Sequence, residues 1–81
     1  MQVGCGVYVH EVRGRPYLYF WHYETKGGRR VQVNEYVGPS AAPRSRAEAI
    51  RRCEAYCARM SQELDRFRAA SLEGLRRALP T

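Results

Sequence analysis

Lysine is almost missing from this 81-residue chain: Lys26 stands alone beside thirteen arginines. Acidic side chains are also scarce, eight Asp+Glu against fourteen Lys+Arg, which leaves a net charge of +6. No apolar run approaches the ~20 residues of a membrane span, so no membrane partner is expected. There is no Gly-rich phosphate loop, no H-E-x-x-H and no Ser set beside a base. The chain is therefore expected not to be an enzyme and to need no cofactor. Cysteine is limited to Cys5, Cys53 and Cys57. An odd number, with no secretory signal, argues against a disulfide framework and for a reducing, cytoplasmic setting.

What is present fits a folded domain: 44% hydrophobic and 27% charged residues. A chain this short forms one domain, residues 1–81, and buries roughly 60–65% of its unfolded surface. That leaves a thin core of two layers and no deep cleft. The arginine excess matters chemically. Its planar, five-donor fork matches phosphates and guanine edges in a way a lysine point charge does not.

Composition changes once, at Gly38-Pro39-Ser40-Ala41-Ala42-Pro43. Before it the residues alternate and are rich in Val and Tyr; after it Ala, Arg, Glu and Leu dominate. Residues 1–38 are expected to form a sheet, 39–44 a linker and 45–79 a helical segment. Strands followed by helix make an α+β domain.

Gly27-Gly28 separates two β-type runs, Tyr17–Thr25 and Arg29–Val37, and suits a two-residue hairpin turn. The turn fixes the register, placing Glu24 opposite Val31, His22 opposite Val33, Phe20 opposite Glu35 and Leu18 opposite Val37. A first strand over Val3–Val12 connects through a turn at Arg13-Gly14-Arg15-Pro16, with Val12 opposing Tyr17. The sheet then has order 1-2-3 with the second strand central. One face is aliphatic, carrying Val3, Cys5, Val7, Val9, Leu18, Phe20, Val31, Val33 and Val37. The other is aromatic and polar, with Tyr8, His10, Tyr17, Tyr19, Trp21, Tyr23 and Tyr36 beside Arg30, Gln32 and Asn34.

Ser45-Arg46-Ala47-Glu48 has the form of a capping box. From there Ile50, Cys53, Cys57, Met60, Leu64 and Phe67 recur at alternating spacings of three and four, one narrow stripe that should cover the aliphatic face. A helix over 46–70 spans ~37 Å, whereas a seven-residue strand spans ~23 Å. The end of the helix therefore either overhangs and pairs with a second copy, or turns near Ser71 into a short fold-back helix carrying Leu72, Leu75 and Leu79.

The aromatic face is the strongest candidate site. Tyr17, Tyr19, Trp21 and Tyr23 fall at i, i+2 spacing and share one side of a strand. Rings, amides and Arg on one sheet surface can stack bases or read groove edges. Arg30 suits a guanine, and Gln32 or Asn34 an adenine. Arg13, Arg15, Lys26 and Arg29, in the turns, flank the face where phosphates would lie. The competing account is that the rings pack against a partner protein. Arg52, Arg59 and Arg66 form one helical row that Glu48, Glu63 and Asp65 can neutralise, the pattern of a solvated face. Cys53 and Cys57 are one turn apart and Cys5, on the sheet face, should meet them; His10 and His22 complete a zinc set only on paper, since His10 points to the opposite face. Both helix cysteines lie on the apolar stripe, where Cys acts as a small hydrophobe, so no metal site is expected.

Gly14-Arg15-Pro16-Tyr17-Leu18-Tyr19, Gly28-Arg29-Arg30-Val31 and Glu35-Tyr36-Val37-Gly38-Pro39 together resemble the short leader segment of insertion-sequence transposases, which runs G-K-x-Y-x-Y, G-K-x-R, Y-L-G. The resemblance covers residues 13–39 and implies a free-standing DNA-binding piece without the catalytic domain. The inferred architecture is also similar to AP2 and integrase arm-binding modules, in which a three-stranded sheet backed by a helix enters the major groove. The expected function is nucleic-acid binding, DNA in preference to RNA, by a homodimer. The alternative is a protein-interaction module that uses the long helix and the aromatic face without nucleic acid.

Overall fold

Gly27 and Gly28 both take positive φ, 57° and 78°, and close a two-residue turn between β2 (Arg15–Lys26) and β3 (Arg29–Pro39). The computed structural model describes residues 3–79. β1 (Cys5–Val12) pairs antiparallel with the other edge of β2, so the sheet is three-stranded with order 1-2-3. A single helix, α1 (Pro43–Ala78), follows. The fold is α+β.

The register expected from Gly27-Gly28 holds from Lys26↔Arg29 to Tyr19↔Tyr36. Beyond that it slips. A bulge between Leu18 and Tyr19 sets Leu18 opposite Gly38, not Val37. The extra residue on β3 lets Val37 pack against the core and bends the strand end toward the helix. The β1–β2 turn is also tighter than expected. Arg13 and Gly14 alone occupy it, at φ 53° and 77°, so Val12 opposes Arg15, not Tyr17. The correction is two residues, and a shift of two preserves which face each side chain takes.

The helix starts earlier than the Ser45-x-x-Glu48 pattern implies. Pro43 occupies its first turn after an extended Ala42, and no side chain caps it. Ser45 is buried instead, packed where Gly38 has no Cβ to obstruct it. Glu48 turns outward to Arg51 and Arg52.

The core is small. Leu18, Phe20, Ala49, Tyr56 and Met60 are its buried hydrophobics, with Cys5, Val37 and Cys53 packed against the Phe20–Tyr56–Met60 cluster. Only part of the expected helix stripe lies here. Met60 is buried and Cys53 half-buried, but Ile50, Leu64 and Phe67 are 59%, 53% and 65% exposed. The row that meets the sheet is Ser45, Ala49, Cys53, Tyr56 and Met60. At 100° per residue, its centre lies about 50° around the helix from the centre of the stripe Ile50–Phe67.

Polar anchors explain that rotation. The Tyr56 hydroxyl donates to the Tyr23 carbonyl oxygen at 2.9 Å and accepts from the Gly4 N–H at 3.3 Å. Arg59 makes two bonds to the Glu24 carboxylate, at 2.7 and 3.1 Å, and Arg52 donates to the Tyr36 carbonyl oxygen at 3.1 Å. These turn the arginine side toward β3 and leave Ile50, Cys57 and Leu64 on the β1 side. No fold-back occurs: α1 runs unbroken to Ala78, and from Leu64 onward its described residues are all exposed.

Candidate nucleic-acid interface

β2 sends Leu18, Phe20 and His22 to the helix, and the helix occupies only that side. Strand alternation therefore places Tyr17, Tyr19, Trp21 and Tyr23 on the opposite face, where no element of the described residues covers them. All four are half-exposed, and Tyr8 and Tyr36 are exposed.

The rings form a continuous surface across the three strands. Tyr8 of β1 stacks on Tyr19 of β2, with centroids 5.3 Å apart and planes 11° apart; Tyr36 of β3 meets Tyr19 edge-on at 5.7 Å. Tyr17 closes on Tyr36 at 5.9 Å, and His10 joins Tyr19 edge-on at 5.9 Å. Farther along, Trp21 and Tyr23 lie 5.3 Å apart. Both lean over β1, where Gly4 and Gly6 provide room. A Cβ on Gly6 would sit 2.8 Å from the Trp21 indole nitrogen, and one on Gly4 would sit 3.0 Å from the Tyr23 ring. The glycines seat these rings against the sheet, which limits the entropy lost when a ligand stacks on them.

Charge is sorted by face. Glu11, Glu24 and Glu35 all occur in pairs on the helix side: Glu11↔Pro16, Glu24↔Val31 and Phe20↔Glu35. No strand carboxylate alternates onto the aromatic side. The cations there are Arg15 at one end and Arg30 at the other, with the Arg30 guanidinium 4.4 Å above the Tyr23 ring. The Gln32 amide donates to the Asn34 side-chain oxygen at 3.1 Å, so the two amides act as one exposed polar unit.

The structure thus brings together Tyr17, Tyr19, Trp21, Tyr23, Arg15, Arg30, Gln32 and Asn34. It does not place every candidate cation on the same surface. Lys26 and Arg29 form the pair next to the Gly27-Gly28 turn and alternate to the helix side, while Arg13 lies in the opposite turn. Sequence reasoning missed Gly4, Gly6 and the sorting of the glutamates. Strand parity carried both signals.

On the other face, His22 Nδ1 lies 2.7 Å from Glu24 and its Nε2 lies 3.6 Å from Glu35. The hydrogen bond from Arg59 holds the Glu24 carboxyl below its ordinary value; burial opposes it, and the bond with His22 and the nearby charges add to the lowering. This network borders a hollow of about 410 Å³, and among the described residues no buried polar side-chain atom lacks a partner. Its groups are spent on docking α1.

The three cysteines also converge. Their sulfurs all lie within 4.8 Å of one another, with Cys5 and Cys53 at 3.2 Å. Burial first, and then the bond with Cys53, pushes the Cys5 thiol up to about 12. This meeting was legible in the sequence, which sets Cys5 on the sheet face that the helix stripe bearing Cys53 and Cys57 covers.

The described helix contains no stretch long and apolar enough to cross a membrane. Comparison with models of protein families, with curated proteins and with solved structures finds no match.

Proposed function

We propose that this chain is a nucleic-acid-binding protein, not an enzyme, and that it binds DNA through the open aromatic face of its sheet. The observation that supports this most is the uncovered ring surface, free of strand carboxylates and bounded by arginine at both ends. A base can stack on a seated Trp21 or Tyr19, with Arg30, Gln32 and Asn34 supplying hydrogen bonds at its edge. On the aromatic side, Arg15 and Thr25, whose cross-strand partner is Arg30, lie roughly 33 Å apart along β2. That approximates one turn of B-DNA, about 34–36 Å, so the two arginines can reach phosphates at both limits of one turn. An odd cysteine count fits the cytoplasm as the compartment.

The test is a fluorescence titration of Trp21 with short duplex and single-stranded DNA at two salt concentrations. Binding should quench or shift the emission and weaken steeply with salt. Trp21→Ala should lose ~1–3 kcal/mol of binding. Arg15→Ala should weaken all sequences alike and flatten the salt slope by about one charge. A flat titration with both ligands at low salt, together with unfolding of the Trp21→Ala variant, would transfer the aromatic face to protein contact.

A second copy of the chain is the partner we propose for the uncovered side of the core face. Val7 and Val9 on edge strand β1 are exposed beside Ile50, Leu64 and Phe67. Two apolar hollows, of about 330 and 370 Å³, open along the same seam. Contiguous apolar surface next to an unpaired strand edge favours association. Sedimentation equilibrium should give twice the chain mass at micromolar concentration, and a single-chain mass throughout would remove the dimer.

A further inference from the structure

We propose that Cys5, Cys53 and Cys57 form a three-thiolate site for a thiophilic divalent ion, Zn²⁺, that fastens β1 to α1. The ligands come from two rigid elements. Cys53 and Cys57 are one helical turn apart on α1, and Cys5 opens β1. Their sulfurs lie within 4.8 Å of one another. Zn–S bonds of ≈ 2.3 Å in tetrahedral geometry set sulfurs ~3.8 Å apart. The present spacing, from 3.2 Å for Cys5–Cys53 upward, reaches that edge with movements of about 1 Å.

Chemistry and fold both favour an ion over a simple apolar cluster. Soft thiolates select Zn²⁺ and its heavier congeners over hard cations. A Cys5–Cys53 disulfide would use two of the thiols and leave unexplained why a third converges on them; an ion uses all three. His22 is no competitor for a ligand position, because its nitrogens face Glu24 and Glu35. In the single chain Cys57 is exposed, so the fourth position is open to water. Apolar fastening is thin: among the described residues five hydrophobic side chains are buried, and none is below 2% exposure. A core this thin leaves room for a bound metal to add stability. On binding, three Zn–S bonds form, three S–H bonds break and three protons pass to the buffer. The site takes a net charge of −1, and nothing is oxidised or reduced.

The experiment is titration of the reduced, folded chain with Cd²⁺ as the spectroscopic probe, followed by displacement with Zn²⁺. One equivalent should produce a saturating thiolate-to-metal charge-transfer band, and Zn²⁺ should raise the melting temperature and shield all three thiols from alkylation. Cys57→Ser, at an exposed position, should keep the far-UV dichroism and weaken binding at least about tenfold. Cys5→Ser should do the same and separates a strand–helix site from a helix-only pair. The proposal fails if Cys57→Ser binds as tightly as the parent, or if Cys5→Ser does. It also fails if the chain in concentrated guanidinium chloride binds equally well, or if saturation needs two chains per ion. DNA titrations need not respond to the ion, so this result stands apart from the nucleic-acid proposal.

Discussion

Removing one oxygen from Tyr56 tests how the helix is fastened to the sheet. The residue is 3% exposed, and its hydroxyl bridges the backbone of two strands, donating to Tyr23 at 2.9 Å and accepting from Gly4 at 3.3 Å. Tyr56→Phe keeps the ring against His22 and Phe20 but strands a carbonyl and an N–H under the helix. A typical hydrogen bond contributes about 0.5–1.5 kcal/mol net, and a buried group left unpaired costs about 1–3 kcal/mol. Gly4 is half-buried at the entry to β1 and can partly rehydrate, so the expected loss is ~2 kcal/mol rather than the sum of two full penalties. In a domain of this size that lowers the melting temperature by about 8–16 °C. Urea and thermal melts monitored by dichroism at low protein concentration, where the chain is a single copy, supply the measurement, with Ile50→Ala as the exposed control at within ~0.5 kcal/mol. If Tyr56→Phe is no worse than that control, the hydroxyl does not hold the helix, and the rotation of α1 needs another cause.

Leu64→Ala should cost within ~0.5 kcal/mol at low protein concentration, because the side chain is 53% exposed. A loss of ~2–5 kcal/mol that persists on dilution would put Leu64 in the core. Gly6→Ala should shift Trp21 emission and weaken DNA binding, since the new Cβ meets the indole at 2.8 Å; unchanged emission would mean that the ring does not rest there. Glu24 is ionised more readily when folded, chiefly through its Arg59 bond. The stability it gives is present above its ordinary value of 4.5 and lost as pH falls below it. Glu24→Gln should flatten that acid limb, and an unchanged acid melt would refute the pairing.

The faces of the sheet were legible because two features fix them: the Gly27-Gly28 turn and strand alternation. Eight consecutive pairs follow from the turn alone. The bulge at Leu18/Tyr19 was not legible, since it depends on Val37 being drawn to the core. Pro16 misled the first hairpin by reading as a turn residue. It sits inside β2 because it lies beyond the last β2–β3 pair, Tyr17↔Pro39, where its carbonyl accepts from Ser40 and no ladder bond needs its missing N–H. The helix face was only half legible. The apolar stripe and the docking row share Cys53 and Met60, and what decides between them is tertiary: the hydroxyl of Tyr56 and the reach of Arg52 and Arg59. The candidate interface was therefore readable in its rings and amides, which follow parity. Lys26 and Arg29, named for their position near a turn, alternate to the other side.

The unsupported half of α1 gives the chain unusual hydrodynamics. Its extents are 66 × 24 × 13 Å and its radius of gyration is 18.0 Å, whereas a compact chain of this length has a radius near 12 Å. A single chain will feel more friction than a sphere of equal mass and will leave a gel-filtration column early, in the volume where a globular dimer would elute. Tumbling is also anisotropic. Amide vectors along α1 lie close to the long axis and sample its slow end-over-end rotation, so nuclear relaxation should report a longer correlation time for the helix than for sheet amides that lie across that axis.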